Sequence, residues 1–370
     1  MSRTTFLAIS CAAALAVSTA AVGSASGAVR PLDGEQVSPF QPVGVTAVPQ
    51  GIKAADVNGS YYIVGTADQT TGAVYDGPID QGATGTWTYM DVPDSWATSD
   101  SPLTTSIYGV DNLSGESVAL VGTWAEGDLL GEGNASFYYE GPVTADPDAT
   151  DFQAFRAQNR QGDVAQFTFL HSVSGDLAVG NWDMAGNKNP EGHAFIFNPD
   201  NGRQIAIKYP KNQRSYTHTA YGIWWNGGNK YTIAGGASRN KGWKSGRIGE
   251  PIGDGTLIDY NSKTGRFSNF TRFSFPARAN GKAPITHFEG IWSNGNGKYR
   301  MPATATTKNG AKGAVATVKR TSNGWSAPKW RTIAIEGSEL LTTNNSIYKK
   351  ASVGITQVGG EIQSYAFLAD

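Results

Sequence analysis

Only one cysteine occurs in the 370 residues, Cys11, and it falls in a leader-like segment. That segment carries Arg3, an apolar run from Phe6 to Val17, and small residues ending Ser26-Gly27-Ala28. The order predicts a secretory signal peptide, with cut sites after Ala20, Ala25 or Ala28; Ala28 is favoured, which makes the leader 1–28. The apolar run is shorter than the about 20 residues a spanning helix needs. No other stretch is longer, so no membrane span is expected. The mature chain, 29–370, then holds no thiol. Disulfides, a cysteine nucleophile and thiolate metal sites are excluded. A secreted chain without disulfides must hold itself by burial, for which about 340 residues is ample.

Other chemistry is missing too. The sequence has no His-Glu-x-x-His and no glycine-rich loop ending in Gly-Lys-Ser/Thr, so common zinc and phosphate sites are excluded. The mature chain has no serine nucleophile elbow. No cofactor is expected. After the leader there is no long run with helical apolar period. What the chain has instead is 46 glycines and 11% aromatic residues, with Asn-Gly and Gly-Gly recurring. That composition favours short strands joined by tight turns.

The strands repeat. "GIWWNGGNKY" at 222–231 and "GIWSNGNGKY" at 290–299 differ at three of ten positions. Looser copies begin at Gly51 and Gly109. A second landmark, at Gly65, Gly122, Gly180, Gly235, Ala303 and Gly354, recurs at intervals of 57, 58, 55, 68 and 51 residues. Behind each landmark comes a short apolar strand: "GAVYDG", "ASFYYEG", "HAFIFN", "TLIDYN", "AVATVK" and "YAFLAD". In the first five units a further strand follows, from "GTWTYMDVP" to "KWRTIAIEG". Four antiparallel strands per unit, six times over, predict an all-β fold: a single β-propeller domain over 29–370, with six four-stranded blades. Five or seven blades stay open, because the last two intervals are uneven. The sixth unit lacks its fourth strand, and "SPFQPVGVTAVP" at 38–49 is expected to supply it and close the ring.

"VGNWDMAGNKNPEGHAFIFNPDNG", residues 179–202, resembles the HAF repeat of predicted extracellular bacterial proteins. "VGITQVGGEIQSYAFLAD" is a looser copy; the other units keep the apolar spacing and lose the histidine. The resemblance implies a secreted, extracellular or periplasmic, repeat-built β protein. The family brings no assigned chemistry, so it transfers no catalytic residues.

Net charge is −1, but it is not evenly spread. Residues 29–165 hold 19 Asp+Glu and 4 Lys+Arg; residues 166–370 hold 12 and 25. Such asymmetry reports on partners. The basic arc includes Lys208, Lys211, Arg214, Arg239, Lys241, Lys244 and Arg247, with Trp224, Trp225, Trp243, Trp292, Trp325 and Trp330 among them. Cations beside aromatic faces suit an acidic polysaccharide or an envelope component. Secretion and near-zero total charge argue against nucleic acid. Two plain readings stand beside this one: solvated charges with tryptophans packed between blades, and head-to-tail self-association of acidic on basic arcs.

The innermost strands, "TSIYG", "FTFLH", "HTAYG" and "THFEG", place Ser106, Thr168, His171, His218, Thr219, His287 and Glu289 at a central channel. Strand alternation puts His171 and His218 on one face and His287 on the other, and Ser106, Thr168 and Thr219 in one register. Glu289 is a candidate catalytic acid if a second carboxylate lies about 5–9 Å away; Asp56, Asp111 and Asp259 are available. Asp146, Asp148 and Asp151 could hold calcium on a loop, although the EF-hand glycine and distal glutamate are missing. The function expected is non-enzymatic binding. The alternatives are a glycoside hydrolase or lyase at the channel, and a self-assembling structural protein.

Overall fold

The computed structural model describes residues 29–80, 83–129, 131, 133–184, 192–213, 217–238, 253–276, 285–307 and 309–370. Residues 1–28, where a signal peptide is expected, and the basic-loop residues Arg214, Arg239, Lys241, Trp243, Lys244 and Arg247 lie outside them.

The described chain is all-β. A short strand, β1 (Gly34–Val37), precedes a series of antiparallel meanders. The first is β2 (Ala47–Ala54), β3 (Ser60–Ala67), β4 (Thr71–Pro78) and β5 (Thr86–Tyr89). The second is β6 (Leu103–Ser114), β7 (Ser117–Glu126), β8 (Ala135–Pro142) and β9 (Phe152–Phe155). The third is β10 (Phe167–Ser174), β11 (Leu177–Asp183), β12 (His193–Asn198) and β13 (Arg203–Ala206). The fourth is β14 (His218–Trp225), β15 (Lys230–Ser238), β16 (Gly253–Asn261) and β17 (Arg266–Phe273). In the fifth, the first strand is broken into β18 (Ile285–Phe288) and β19 (Trp292–Ser293); β20 (Lys298–Thr307), β21 (Gly310–Thr321), the short β22 (Gly324–Trp325) and β23 (Lys329–Thr332) follow. The last is β24 (Ser338–Thr342), β25 (Ser346–Tyr348), β26 (Ala351–Val358) and β27 (Glu361–Ala369).

The landmark residues all fall on second strands. Gly65, Gly122, Gly180, Gly235 and Ala303 pair with Pro49, Ile107, Leu170, Ala220 and Phe288, so five meanders share one register. A Cβ at the four glycines would strike the carbonyl of the residue before that partner: Val48, Ser106, Phe169 and Thr219. Second and third strands are covered on both faces by neighbouring meanders. They therefore read as apolar runs rather than as alternation: β15 is buried over eight of its nine residues. "HAFIFN" is such a third strand, with Phe195, Ile196 and Phe197 fully buried. His193 starts it, stacks on Trp182 at 4.1 Å and is a rung of the repeat.

The strand beside β27 is not residues 38–49. It is β1, with Gly34 to Val37 paired to Ala369 to Ala366. Residues from Ala47 onward belong to β2, at the start of the first meander. A bulge at Gln50 breaks the alternation of β2, and Pro49 imitates the end of an outer strand. Both made that strand look shorter than it is. Removing residues 29–36 is expected to cost about 1.5 kcal/mol, from three of the four strand-pair positions at about 0.5 kcal/mol of net hydrogen bonding each. Urea midpoints of the full and trimmed chains check this; equal midpoints would show that β1 adds nothing to the sheet.

Candidate functional site

The first strands of the meanders converge on one small cavity. Five of them carry one extra residue at the same place: Gln50, Tyr108, His171, Tyr221 and Glu289. The register skips between Pro49 and Gly51, Ile107 and Gly109, Leu170 and Ser172, and Ala220 and Gly222. In the fifth meander the strand stops at Phe288 and resumes at Trp292. A bulge turns its extra side chain away from the ladder, and here all five line the cavity. Asn345, between β24 and β25, holds the same place in the sixth meander; its Nδ2 donates to the Pro49 carbonyl of the first at 2.8 Å. A small residue follows each: Gly51, Gly109, Ser172, Gly222, Gly290 and Ser346.

His171 sits in a stack of rings. Its centroid is 3.8 Å from Tyr221, 5.3 Å from Tyr108 and 5.9 Å from Phe169. Burial, with His287 nearby, pushes its pKa down to about 3, so it is neutral at pH 7. Tyr221 turns an edge to His287 at 4.3 Å. His287 Nε2 is 2.6 Å from Thr219 Oγ1, which also accepts the Gly236 N–H at 2.9 Å. Thr219 thus joins the fourth meander to the fifth through His287. Nδ1 faces Glu289 Oε2 at 3.3 Å and is not aligned for a hydrogen bond. The Glu289 side chain is only 8% exposed. The cavity offers about 40 Å³ to water-sized molecules. One water needs roughly 10–15 Å³, so there is room for a few waters and not for a sugar ring.

Beyond the bulged residues, the cavity opens between the ends of the first strands. Lys53, Trp224 and Tyr348 line it there. Lys53 Nζ lies 4.8 Å from the Trp224 ring centroid and 2.7 Å from Asp111 Oδ1. Trp292 is edge-on to Trp224 at 6.5 Å and to Tyr348 at 6.4 Å.

The channel histidines expected from sequence separate. His218 is not at the channel: it packs 3.5 Å from Tyr209 and edge-on to Phe270 at 5.8 Å. Its Nε2–H donates to the Gln213 carbonyl at 2.8 Å, while Nδ1 is buried with no partner. Burial pushes its pKa down to about 4. His171 and His218 therefore do not share a face: His171 matches Tyr221, three residues after His218. Thr168 stands one place from Ser106 and Thr219, because Ser172, not His171, takes the place of Gly109 and Gly222. Thr168 accepts the Ala157 N–H at 3.1 Å, as Thr105 accepts that of Val92 and Thr286 that of Phe275. Ser106 bonds the Thr66 hydroxyl. Ser106 joins β6 to β3, Thr168 holds the connection after β9 and Thr219 joins β14 to β18; none lines the cavity.

The carboxylates offered as partners to Glu289 are engaged elsewhere. Asp56 accepts from Asn112 at 2.8 Å, Asp111 from Lys53, and Asp259 holds Arg320 bidentately at 2.5 and 2.7 Å. Asp148 caps the turn at Ala149–Asp151 by accepting from Thr150 N and Oγ1, both at 2.8 Å, and these bonds lower its pKa. Asp146, Asp148 and Asp151 form no ligand set: among the described residues, no three His, Cys, Asp or Glu are placed to hold a metal.

The tryptophans divide. Arg320 lies 4.2 Å over Trp325, and Trp330 packs on Phe275 and Phe288, so these two rings serve the interior. Trp225 is 47% exposed; its Nε1 donates to the Gly228 carbonyl at 2.7 Å. Trp224 stands at the cavity mouth, and Trp292 packs edge-on behind it without lining the cavity.

Sequence reasoning missed Gln50, Tyr108, Tyr221 and Asn345. The signal was present: Gln-Gly, Tyr-Gly, Tyr-Gly and Glu-Gly recur at 50–51, 108–109, 221–222 and 289–290.

No family model and no curated protein matches this chain. Among solved structures, it resembles a polysaccharide lyase of family PL25, an ulvan lyase bound to -[GlcA(1-4)Rha3S]-. The identity is 13%, with 91% of this chain and 84% of that one covered, at a TM-score of 0.43. It also resembles the hydrazine synthase of Kuenenia stuttgartiensis, at 11% identity, 92% and 98% coverage and a TM-score of 0.42. A hypothetical protein from Leishmania major follows at 8% identity, 81% and 95% coverage and 0.38. At these scores the likenesses assign neither a family nor a residue's role.

Proposed function

We propose that this chain is a secreted six-bladed β-propeller, closed by β1, and that it is a non-enzymatic binding platform for an acidic polysaccharide or envelope component. The observation that carries the reading is the segregation of charge along the chain: −15 over residues 29–165 and +13 over 166–370. In a ring of blades, sequence order is angular order. The two signs then occupy different arcs and set up a field along the disc, which steers charged partners. The outer strands follow this division. Arg203, Arg266, Lys329 and Arg331 are exposed on β13, β17 and β23, whereas β5 and β9 carry no charge. An acidic chain would meet the rim on that side. Catalysis by paired carboxylates finds no support, because the candidates beside Glu289 are bonded elsewhere.

The test is retention of residues 29–370 on acidic and neutral polysaccharides at low and high salt. Binding to acidic chains is expected to fall at least tenfold at high salt. It should weaken in the triple reversal Arg266→Glu, Lys329→Glu, Arg331→Glu and survive Glu289→Gln. Equal binding to neutral chains, or none at all, sinks the reading. Salt-sensitive self-association without glycan binding would instead assign the two arcs to each other.

A further inference from the structure

The central cavity is separate from the basic rim, and its chemistry is different. Its floor is Gln50, Tyr108, His171, Tyr221 and Glu289, one bulged residue from each of five strands. Glu289 is the one carboxylate there. His171 is 7% exposed and held only by ring stacking; among the described residues no hydrogen bond reaches its imidazole. A neutral imidazole offers one donor and one acceptor. Buried polar groups normally find a partner, and here the open side is the cavity.

We propose that this funnel is a binding site for the end of an uncharged sugar: one hydroxyl or hydroxymethyl group enters the cavity while the ring rests on Trp224 and Tyr348 at the mouth. Three observations converge on this ligand. First, the cavity has room for a few waters and therefore for one small substituent, not a whole ring. Second, its polar groups match a hydroxyl, which both donates and accepts: Glu289 takes the donated hydrogen, and His171 supplies either role. Third, the mouth is aromatic, and few convergent polar groups behind an apolar rim is the composition of small-molecule sites. The carboxylate repels uronate and sulfate groups, so the site selects against the ligands that the basic rim attracts. Lys53 does not reverse this, because Asp111 neutralises it at 2.7 Å. One carboxylate and one neutral imidazole are too few ligands for a resident divalent metal.

The experiment is calorimetric titration of residues 29–370 with the methyl glycosides of glucose, galactose and rhamnose in high salt, which screens the rim. One-site, salt-insensitive binding to at least one of them is expected. Glu289→Gln and Trp224→Ala should each weaken it at least tenfold. In the unmodified protein, the Trp224 indole resonance should shift with the same affinity, which keeps the test open if Trp224→Ala fails to fold. Binding to acidic polysaccharide at low salt should persist in Glu289→Gln, so loss of one site is distinguishable from loss of the other. No binding by any of the three glycosides, or equal affinity in folded Glu289→Gln, overturns the proposal.

Discussion

Lowering the pH from 6.5 to 4.5 is expected to remove about 4 kcal/mol of stability through two histidines alone, His171 and His218. Each has an ordinary pKa of 6.5 when unfolded, and burial holds it at about 3 and about 4 when folded. Between those values the unfolded chain binds a proton that the folded chain refuses, so stability rises with pH. The contribution is whole above pH 6.5 and is lost on acidification, at about 1.4 kcal/mol per pH unit for each group. The cause is visible at both sites. Protonating His171 would put a charge among Tyr108, Phe169 and Tyr221, with His287 nearby and Glu289 the one compensating carboxylate on the cavity floor. Protonating His218 would put a proton on Nδ1, which has no acceptor, beside Tyr209 and with Arg272 close by. Asp80, Glu126 and Asp148, whose pKa values are lowered by hydrogen bonds, lose stability only below the ordinary carboxylate range and stay out of this window. Asp76 and Asp91, raised by burial, act in the opposite direction. Urea unfolding at pH 6.5, 5.5 and 4.5 measures the slope. In His171→Phe the slope should fall by about half; an unchanged slope would assign the proton uptake to other groups.

What the sequence made legible was what repeats locally. Third strands such as "HAFIFN" and "YAFLAD" are buried on both faces, and burial on both faces is written as an apolar run. The landmark glycines are legible because close approach of two strands leaves no room for a Cβ. The parts misread have weak or shifted local signatures. In β1, Gly34-Glu35-Gln36-Val37 has a single buried side chain, so its place beside β27 depends on backbone pairing that composition does not mark. A bulge adds one residue and inverts the parity of everything before it. In the third strand Ser172 replaces the entry glycine, so His171 was counted as the entry position and placed with His218, when its equivalents are Tyr221 and Glu289. Trp325 and Trp330 looked like candidates for sugar stacking because cations flank them in sequence. In space Trp325 already stacks on Arg320, and Asp259 holds that guanidinium.

The bulged residues depend on the small residue that follows each of them, and this gives the second large effect. At Gly222 an added Cβ would lie 2.6 Å from the Gly290 carbonyl carbon, 2.7 Å from its Cα and 2.8 Å from the Ile291 nitrogen. All three are backbone atoms of the next inner strand, so no side chain can swing away. Gly109 faces the same obstacle, with Ser172 Cα at 2.8 Å and the His171 oxygen at 2.9 Å. Relief at Gly222 would require the fourth and fifth first strands to part, which would also open the contact between Tyr221 and His287. Gly222→Ala is therefore expected to cost about 3 kcal/mol or more, the upper range for overpacking a close-packed interior. Gly290 is the internal control. It occupies the same place one strand on, but its nearest obstacle is Pro302 Cγ at 3.2 Å, a side-chain atom, with the Asn345 oxygen at 3.8 Å. Gly290→Ala should cost about 1 kcal/mol, the lower end of the overpacking range. Urea unfolding of the two variants at pH 7.5, above the histidine window, gives the comparison. If the two costs are equal, the inner strands are not as close at Gly222 as the backbone distances require; if Gly222→Ala is several-fold worse, the tight contact between adjacent first strands is what holds the central cavity at its small size.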